Sequence, residues 1–157
     1  MEMPKFIDSR IKKSIAEFVG KCDPKVLALW ACDCAERVLH SFEEACPEDD
    51  RPREAIEAGC AWVRGEIAMS EARTAAFAAH SAARDSDNAA ACAAARAAGH
   101  ASATAHVAGH AVHAATYAAK AVAYTSDRAD AGANTAKERE WQFQRLLKLG
   151  NNNVSQV

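Results

Sequence analysis

Alanine dominates the second half of this chain and restricts what the chain can fold into. Between Ala68 and Ala136, roughly 45% of the positions are alanine, the residue with the highest intrinsic helix propensity. No run of alternating apolar and polar residues predicts a strand. The sequence therefore predicts an all-α fold, a compact bundle of six or seven helices with an alanine-rich second half.

Small side chains also determine how such helices pack. Burying an alanine methyl group contributes about 0.8 kcal/mol, whereas burying a leucine side chain contributes roughly 1.5 to 3 kcal/mol. We therefore expect closely spaced helices that are covered by the larger residues of the terminal helices. Gly99 is expected at a bend or a close approach between two helices, and Gly109 at a close-packed position.

Capping residues and apolar periodicity delimit seven predicted helices. Asp23 followed by Pro24 is an N-cap with proline at the first helical position, and Thr135 with Glu138 forms a capping box. The predicted helices run from Ile7 to Phe18, Pro24 to Phe42, Pro52 to Ile67, Ser70 to Arg84, Asn88 to Gly99, Ser102 to Tyr124 and Thr135 to Gly150.

The length of 157 residues fits one domain. We expect a single helical bundle over residues 1–150, and a disordered tail over residues 151–157 after the helix stop at Gly150.

Charge and cysteine content exclude several classes of partner and compartment. The net charge is −2 and the isoelectric point is about 6.3, so there is no overall basic field for nucleic acid or an anionic membrane. The first ten residues do not resemble a signal peptide, and no stretch is apolar enough to span a bilayer. The sequence therefore predicts a cytoplasmic protein, with its six cysteines as reduced thiols.

Histidines form the one unusual local pattern. His106, His110 and His113 occur at i, i+4 and i+7, and Tyr117 continues the same side of the predicted helix. Two such imidazoles could hold a metal ion if His80 or His100 supplied a third ligand from another helix. The alternative interpretations are structural histidines that bond to neighbouring helices, which we favour, and a partner contact.

Sequence motifs give no support to an enzyme. The chain contains no G-x-S-x-G elbow, no phosphate-binding loop and no H-E-x-x-H pair, so we predict a non-enzymatic protein without a cofactor. Carboxylates cluster around Pro47, where Arg51 and Arg53 also lie. Two interpretations of this segment stay open, a solvated turn and a binding site. The acidic residues are Glu43, Glu44, Glu48, Asp49 and Asp50.

Three segments together resemble a family of small helical bacterial immunity proteins of polymorphic toxin systems. The segments are LWACDCAERVL at residues 29–39, DRPREAI at residues 50–56 and ATAHVAGHA at residues 103–111. The resemblance extends from about Leu27 to Leu147. It implies that the chain neutralises a cognate toxin by stoichiometric binding, and it supplies no catalytic residues.

The sequence thus leads to one main hypothesis and one alternative. The main hypothesis is a cytoplasmic immunity protein whose acidic segment contacts its toxin, because a carboxylate cluster can steer and cover a basic surface. The alternative is a metal-binding or small-ligand-binding helical protein, which would use His106, His110, His113 and Tyr117. A homo-oligomer stays open in both cases.

Overall fold

The computed structural model of the chain describes residues 6–155, and every regular element in that range is a helix. The all-α prediction is confirmed, but the described residues form eight helices where we expected six or seven. They are α1 (Ile11–Val19), α2 (Pro24–Glu36), α3 (Leu39–Ala45), α4 (Arg51–Val63), α5 (Met69–Asp85), α6 (Ala89–Ala103), α7 (His110–Thr125) and α8 (Ala131–Ser155).

The additional helix arises because the predicted second helix is interrupted. It begins as predicted, with the Asp23 carboxylate accepting hydrogen bonds from the backbone nitrogens of Lys25 and Val26 at 2.9 and 3.1 Å. It ends at Glu36, and Val38 then leads into α3. Neither proline nor glycine occurs there. The break therefore has no signal in local propensity.

Helix α6 forms the centre of the fold. It packs against α2, α3, α4, α5 and α7, and most of its alanines are buried, while Cys92, Arg96 and His100 form one partly exposed side. A helix that is apolar on most of its surface is stable only when other helices cover it. Alanine makes this arrangement possible, because its methyl group lets several neighbours approach one helix closely. The predicted close packing of the alanine-rich segment is therefore present around α6.

A turn over residues 104–109 separates α6 from α7, so the single predicted helix from Ser102 to Tyr124 is wrong. The side-chain oxygen of Thr104 donates to the carbonyl of His100 at 3.0 Å, and the backbone nitrogen of His106 donates to the carbonyl of Ala103 at 2.9 Å. Gly109 lies in this turn, and a Cβ added to it would meet nothing within 4 Å. The expectation that Gly109 is close-packed is therefore also wrong.

Helix α8 begins earlier and ends later than the sequence indicated. It begins at Ala131, so Thr135 lies one turn inside it and does not form a capping box with Glu138. It also continues to Ser155, although we expected a helix stop at Gly150 and a disordered tail after it. Residues 156–157 of that tail lie outside the described residues. Within the described residues, no helix combines the length and apolar character that crossing a bilayer requires.

Polar residues attach α8 to the rest of the fold. Arg139 is buried and binds Asp8 through two hydrogen bonds of 2.9 and 2.8 Å, while Glu138 accepts two hydrogen bonds from Arg37. The indole nitrogen of Trp30 donates to the carbonyl oxygen of Gln142 at 2.8 Å. These contacts join segments that are more than a hundred residues apart in sequence.

Candidate functional site

Four histidines and one tyrosine meet on the outer side of helices α5, α6 and α7. We call His80, His100, His110, His113 and Tyr117 the imidazole cluster. The His100 ring lies at its centre, with ring centroids 4.8 Å from His80, 5.1 Å from His110, and 5.3 Å from both His113 and Tyr117. The His100 and Tyr117 rings are nearly parallel, at 11°. Three helices therefore contribute to one continuous group of rings.

Hydrogen bonds fix part of the protonation pattern in this cluster. The Nη1 atom of Arg96 lies 2.9 Å from Nδ1 of His80. Because arginine can only donate, Nδ1 of His80 is the acceptor and its neutral ring carries the hydrogen on Nε2. The Nδ1 atoms of His100 and His110 are also 2.9 Å apart, so one of these two nitrogens donates to the other.

Gly99 gives the His80 ring its place against α6. A Cβ added to Gly99 would lie 2.7 Å from Nε2 of His80, closer than real Cβ contacts. Gly99 is inside α6 and not at a bend, so only the close-approach part of the prediction is confirmed. The missing side chain at Gly99 lets α5 place an imidazole directly on the α6 backbone.

The imidazoles of His80 and His100 are neutral at pH 7. Burial is the main reason, and neighbouring cations and rings add to it, so the pKa of His80 falls to about 4 and that of His100 to about 3. The pKa of His110 is also lowered, mainly by burial and then by the charges of His113 and His106. Protonation of His80, His100 and His110 is therefore unfavourable in the folded protein.

Acidification should destabilise the protein through these rings. The unfolded histidines titrate near 6.5 and the folded ones lower, so their contribution to stability is complete above pH 6.5 and is lost as pH falls towards 4. After discounting for rings that are partly exposed, we expect a loss of roughly 1 to 2 kcal/mol between pH 7 and pH 5.

Urea unfolding of the wild type and of His80→Gln at pH 8, 7, 6 and 5 measures this effect. A glutamine side chain can still accept from Arg96 but does not titrate, so the variant should lose less stability on acidification. The difference between the two proteins at pH 8 is the control for packing changes. Parallel pH dependences would contradict the assignment of the effect to this cluster.

The predicted histidine stripe is only partly correct. His110, His113 and Tyr117 share one face of α7, but His106 lies in the turn before α7, is exposed, and makes none of the ring contacts of the cluster. His80 and His100, considered as third ligands, provide the actual partners. Among residues 6–155, no group of three or more His, Cys, Asp or Glu side chains is placed to hold a metal ion. The geometry therefore gives no support to the metal alternative.

The acidic segment lies at the connection between α3 and α4, and arginines neutralise part of it. Glu43 accepts from Arg53 at 2.9 Å, and Asp49 accepts from Arg51 at 2.7 Å. The bonds to Arg51 lower the pKa of Asp49. No hydrogen bond or ion pair within the described part of the chain involves the side chains of the remaining three acidic residues, which are exposed. These residues are Glu44, Glu48 and Asp50.

An open depression adjoins these carboxylates. It is lined by Cys46, Pro47 and the following residues up to Arg51, together with Glu54. It lies at the end of the bundle where α5 ends, because Arg51 also binds Asp85 at 3.0 Å. Two of the free carboxylates, Glu48 and Asp50, therefore line a concave surface that a protruding cationic side chain of a partner could enter.

The cysteines do not form a ligand set in the described residues. All six are free thiols, and the thiol of Cys32 on α2 donates to the carbonyl oxygen of Ile56 on α4 at 3.7 Å. The interaction of the Cys60 thiol with the neighbouring Cys32 lowers the pKa of Cys60 to about 7. Their reduced state in the cell stays a prediction.

Comparison with known families identifies the chain. Residues 19–149 match the family model described as "Imm-5 like putative immunity protein". The chain belongs to this family. The match includes every helix that contributes to the imidazole cluster, and also the acidic segment. No curated protein and no solved structure matches the chain. The family resemblance inferred from residues 29–39, 50–56 and 103–111 is therefore confirmed.

Proposed function

We propose that this protein is a non-enzymatic immunity protein that binds and neutralises a cognate toxin in the cytoplasm of the cell that makes both. The family match over residues 19–149 carries this proposal. The central imidazoles of the cluster bond to one another and to Arg96, so their hydrogen bonds join helices of the fold.

Co-expression with the product of the neighbouring reading frame tests the proposal. Growth should stop when the candidate toxin is expressed alone and should recover when this protein is expressed with it. The purified pair should form a complex of fixed stoichiometry in size-exclusion chromatography with light scattering, since neutralisation by binding needs enough immunity protein to occupy every toxin. A toxin that is neither bound nor neutralised would refute the immunity role.

We further propose that the acidic segment accelerates association with the toxin. Two of the three unpaired carboxylates, Glu48 and Asp50, line the same depression before α4, and such charges at the edge of an interface mainly change the association rate. Asp49 and Glu43 contribute less, because arginines already neutralise them.

Charge reversal separates steering from simple solubilisation of the turn. In the double variant Glu48→Lys/Asp50→Lys, the association rate should fall about tenfold at low salt, and the difference should shrink as salt is added. Stopped-flow or surface binding kinetics give both rates, and circular dichroism checks the fold. The matched control is Glu17→Lys/Asp130→Lys, which reverses two exposed carboxylates elsewhere. Equal association rates for the two double variants would show that the acidic segment does not contribute to the interface.

A further inference from the structure

Helices α5, α6 and α7 place their cationic and aromatic side chains on one common outer face. The positions on each helix are three or four residues apart, which keeps them on one side. We call this surface the cationic face. Its residues are Arg73, Phe77, His80 and Arg84 on α5, Arg96 and His100 on α6, and His110, His113, Tyr117 and Lys120 on α7.

Direct contacts between the three helices join the central part of this face. Arg96 binds His80, whose ring contacts His100, and His100 stacks on Tyr117. The ammonium nitrogen of Lys120 lies 4.8 Å from the centroid of the Tyr117 ring. The positive charge of Arg84 also lowers the pKa of His80, although burial and the charge of Arg96 are larger causes. Side chains from three helices thus contact one another in a row that runs from Arg96 through His80, His100 and Tyr117 to Lys120.

Among the described residues, no carboxylate forms an ion pair with this face. The sequence contains no aspartate or glutamate between Asn88 and Ser126, so α6 and α7 carry none. Of the two carboxylates on α5, Asp85 binds Arg51, and Glu71 forms no ion pair with a cation of the face. Each cation contacts a neutral group instead. Arg73 lies over the Phe77 ring at 5.2 Å, Arg84 donates to Ser81 at 2.9 Å, Arg96 donates to His80 at 2.9 Å, and Lys120 lies over Tyr117 at 4.8 Å.

The arginines that attach helices to one another in this fold behave differently, because each of them pairs with a carboxylate. The pairs are Arg37 with Glu138, Arg51 with Asp49 and Asp85, Arg53 with Glu36 and Glu43, Arg139 with Asp8, and Arg145 with Asp33. Within the described residues, none of the four cations of the cationic face takes part in an ion pair. Their charge is therefore available to a ligand.

Exposed apolar side chains indicate that the ligand is a protein. Phe77 is 59% exposed within the face, and Val107, at the turn between α6 and α7, is 48% exposed. Aromatic residues and arginine are the usual energetic centres of protein interfaces. Nucleic acid, in contrast, is held mainly by fixed cations that neutralise phosphates, and here most of the polar rings are imidazoles of lowered pKa.

We infer that the cationic face is the surface on which a carboxylate-bearing segment of the toxin docks, with Phe77 as the apolar anchor of the contact. This inference rests on the proposed immunity function. It specifies which surface of the protein supplies the affinity for the toxin. Aspartate and glutamate side chains of the toxin pair with Arg73, Arg84, Arg96 and Lys120, while its apolar residues cover Phe77.

The cationic face and the acidic segment then have separate roles in one interface. The salt bridge from Arg51 to Asp85 places the acidic segment beside the end of α5, next to Arg84. Two neighbouring patches of opposite charge fix the orientation of a partner that carries the reciprocal pattern. The acidic segment steers the encounter, and the cationic face holds the bound toxin.

Calorimetric titration with the toxin encoded by the neighbouring reading frame tests this assignment. The double variant Arg73→Glu/Arg84→Glu should bind about 100-fold more weakly than the wild type, roughly tenfold for each reversed charge. Phe77→Ala should lose about 30-fold or more in affinity, mainly through faster dissociation. All three side chains are exposed, so circular dichroism and thermal unfolding should show an unchanged fold.

Arg128→Glu is the matched control, because Arg128 is exposed and unpaired among the described residues but lies in the turn after α7. It should bind the toxin as the wild type does. Wild-type affinity in both cationic-face variants would overturn this inference and leave the immunity function intact. A wild-type protein that does not bind the toxin would overturn both. Binding of a 20-nucleotide RNA or DNA duplex that competes with the toxin and is lost in the Arg73→Glu/Arg84→Glu variant would assign the face to nucleic acid instead.

Discussion

Arg139→Ala should destabilise the protein by about 3 to 5 kcal/mol, because it leaves a partly buried carboxylate without its partner. Arg139 is 2% exposed and binds both oxygens of Asp8. It also donates to the side-chain oxygens of Gln142 and Thr116 at 3.0 Å. One guanidinium group therefore joins the segment before α1, α7 and α8, and its removal affects all three.

Urea unfolding at pH 7 measures this loss, and Arg145→Ala is the matched control. Arg145 also pairs with an aspartate from another helix, Asp33, but both side chains are about one-third exposed. Such a pair contributes only about 0 to 1 kcal/mol. A similar loss in the two variants would show that burial does not determine the effect.

The same variant should change how stability depends on acid. Burial raises the pKa of Asp8, but the hydrogen bonds and charge of Arg139 outweigh burial and leave that pKa below its usual value. The stability from Asp8 is therefore present above the unfolded pKa of about 3.9 and is lost as pH falls through the lower folded pKa. In Arg139→Ala this acid-dependent contribution should disappear.

Local signals predicted the helix starts that are fixed by a capping side chain. Asp23 with Pro24 marks the start of α2, and Asn88 caps α6 by accepting from the backbone nitrogen of Ala91 at 2.9 Å. These caps act within three residues, so they are visible in the sequence. The break after Glu36 coincides with the pairing of Arg37 to Glu138, which lies 101 residues away. Such a contact has no local signature.

The alanine-rich segment limited the prediction in another way. An alanine helix has no apolar stripe distinct from its other sides, so periodicity does not show which residues face which neighbour. For that reason, nothing in the pattern indicated the turn over residues 104–109 that removes His106 from the face of α7. The spacing did place His110, His113 and Tyr117 together, because these residues lie within one uninterrupted helix.

For the candidate site too, the sequence predicted which residues lie near one another along a helix or turn, but not the contacts that form between helices. The sequence placed five carboxylates near one turn, but it could not show that Arg53 and Arg51 would neutralise Glu43 and Asp49. It suggested His100 and His80 as partners of the α7 histidines, but not the bond from Arg96 to His80. The unpaired cations of α5 were missed altogether. Their spacing was readable, but whether Arg73 and Arg84 pair with a carboxylate depends on the folded structure, in which Asp85 binds Arg51 instead.

Trp30→Ala should have an effect as large as Arg139→Ala, because the protein contains few large side chains in its core. Trp30 is fully buried on α2, and its indole nitrogen donates to the carbonyl oxygen of Gln142 on α8. Truncating a buried tryptophan typically costs about 3 to 5 kcal/mol, through lost burial and the cavity that remains. The surrounding alanines have no longer side chain with which to fill that cavity, so we expect the upper half of this range.

Two further variants separate the packing of Trp30 from its hydrogen bond and from tryptophan truncation in general. Trp30→Phe keeps most of the ring but removes the donor to Gln142, and should cost about 1 to 3 kcal/mol. Trp62→Ala removes a tryptophan that is only partly buried on α4, so its loss should be clearly smaller than that of Trp30→Ala. Urea unfolding of the three variants at pH 7 measures the loss in free energy of unfolding for each of them. If Trp62→Ala and Trp30→Ala cost the same, the contact between α2 and α8 would not be a principal source of stability, and the alanine layers around α6 would have to supply it.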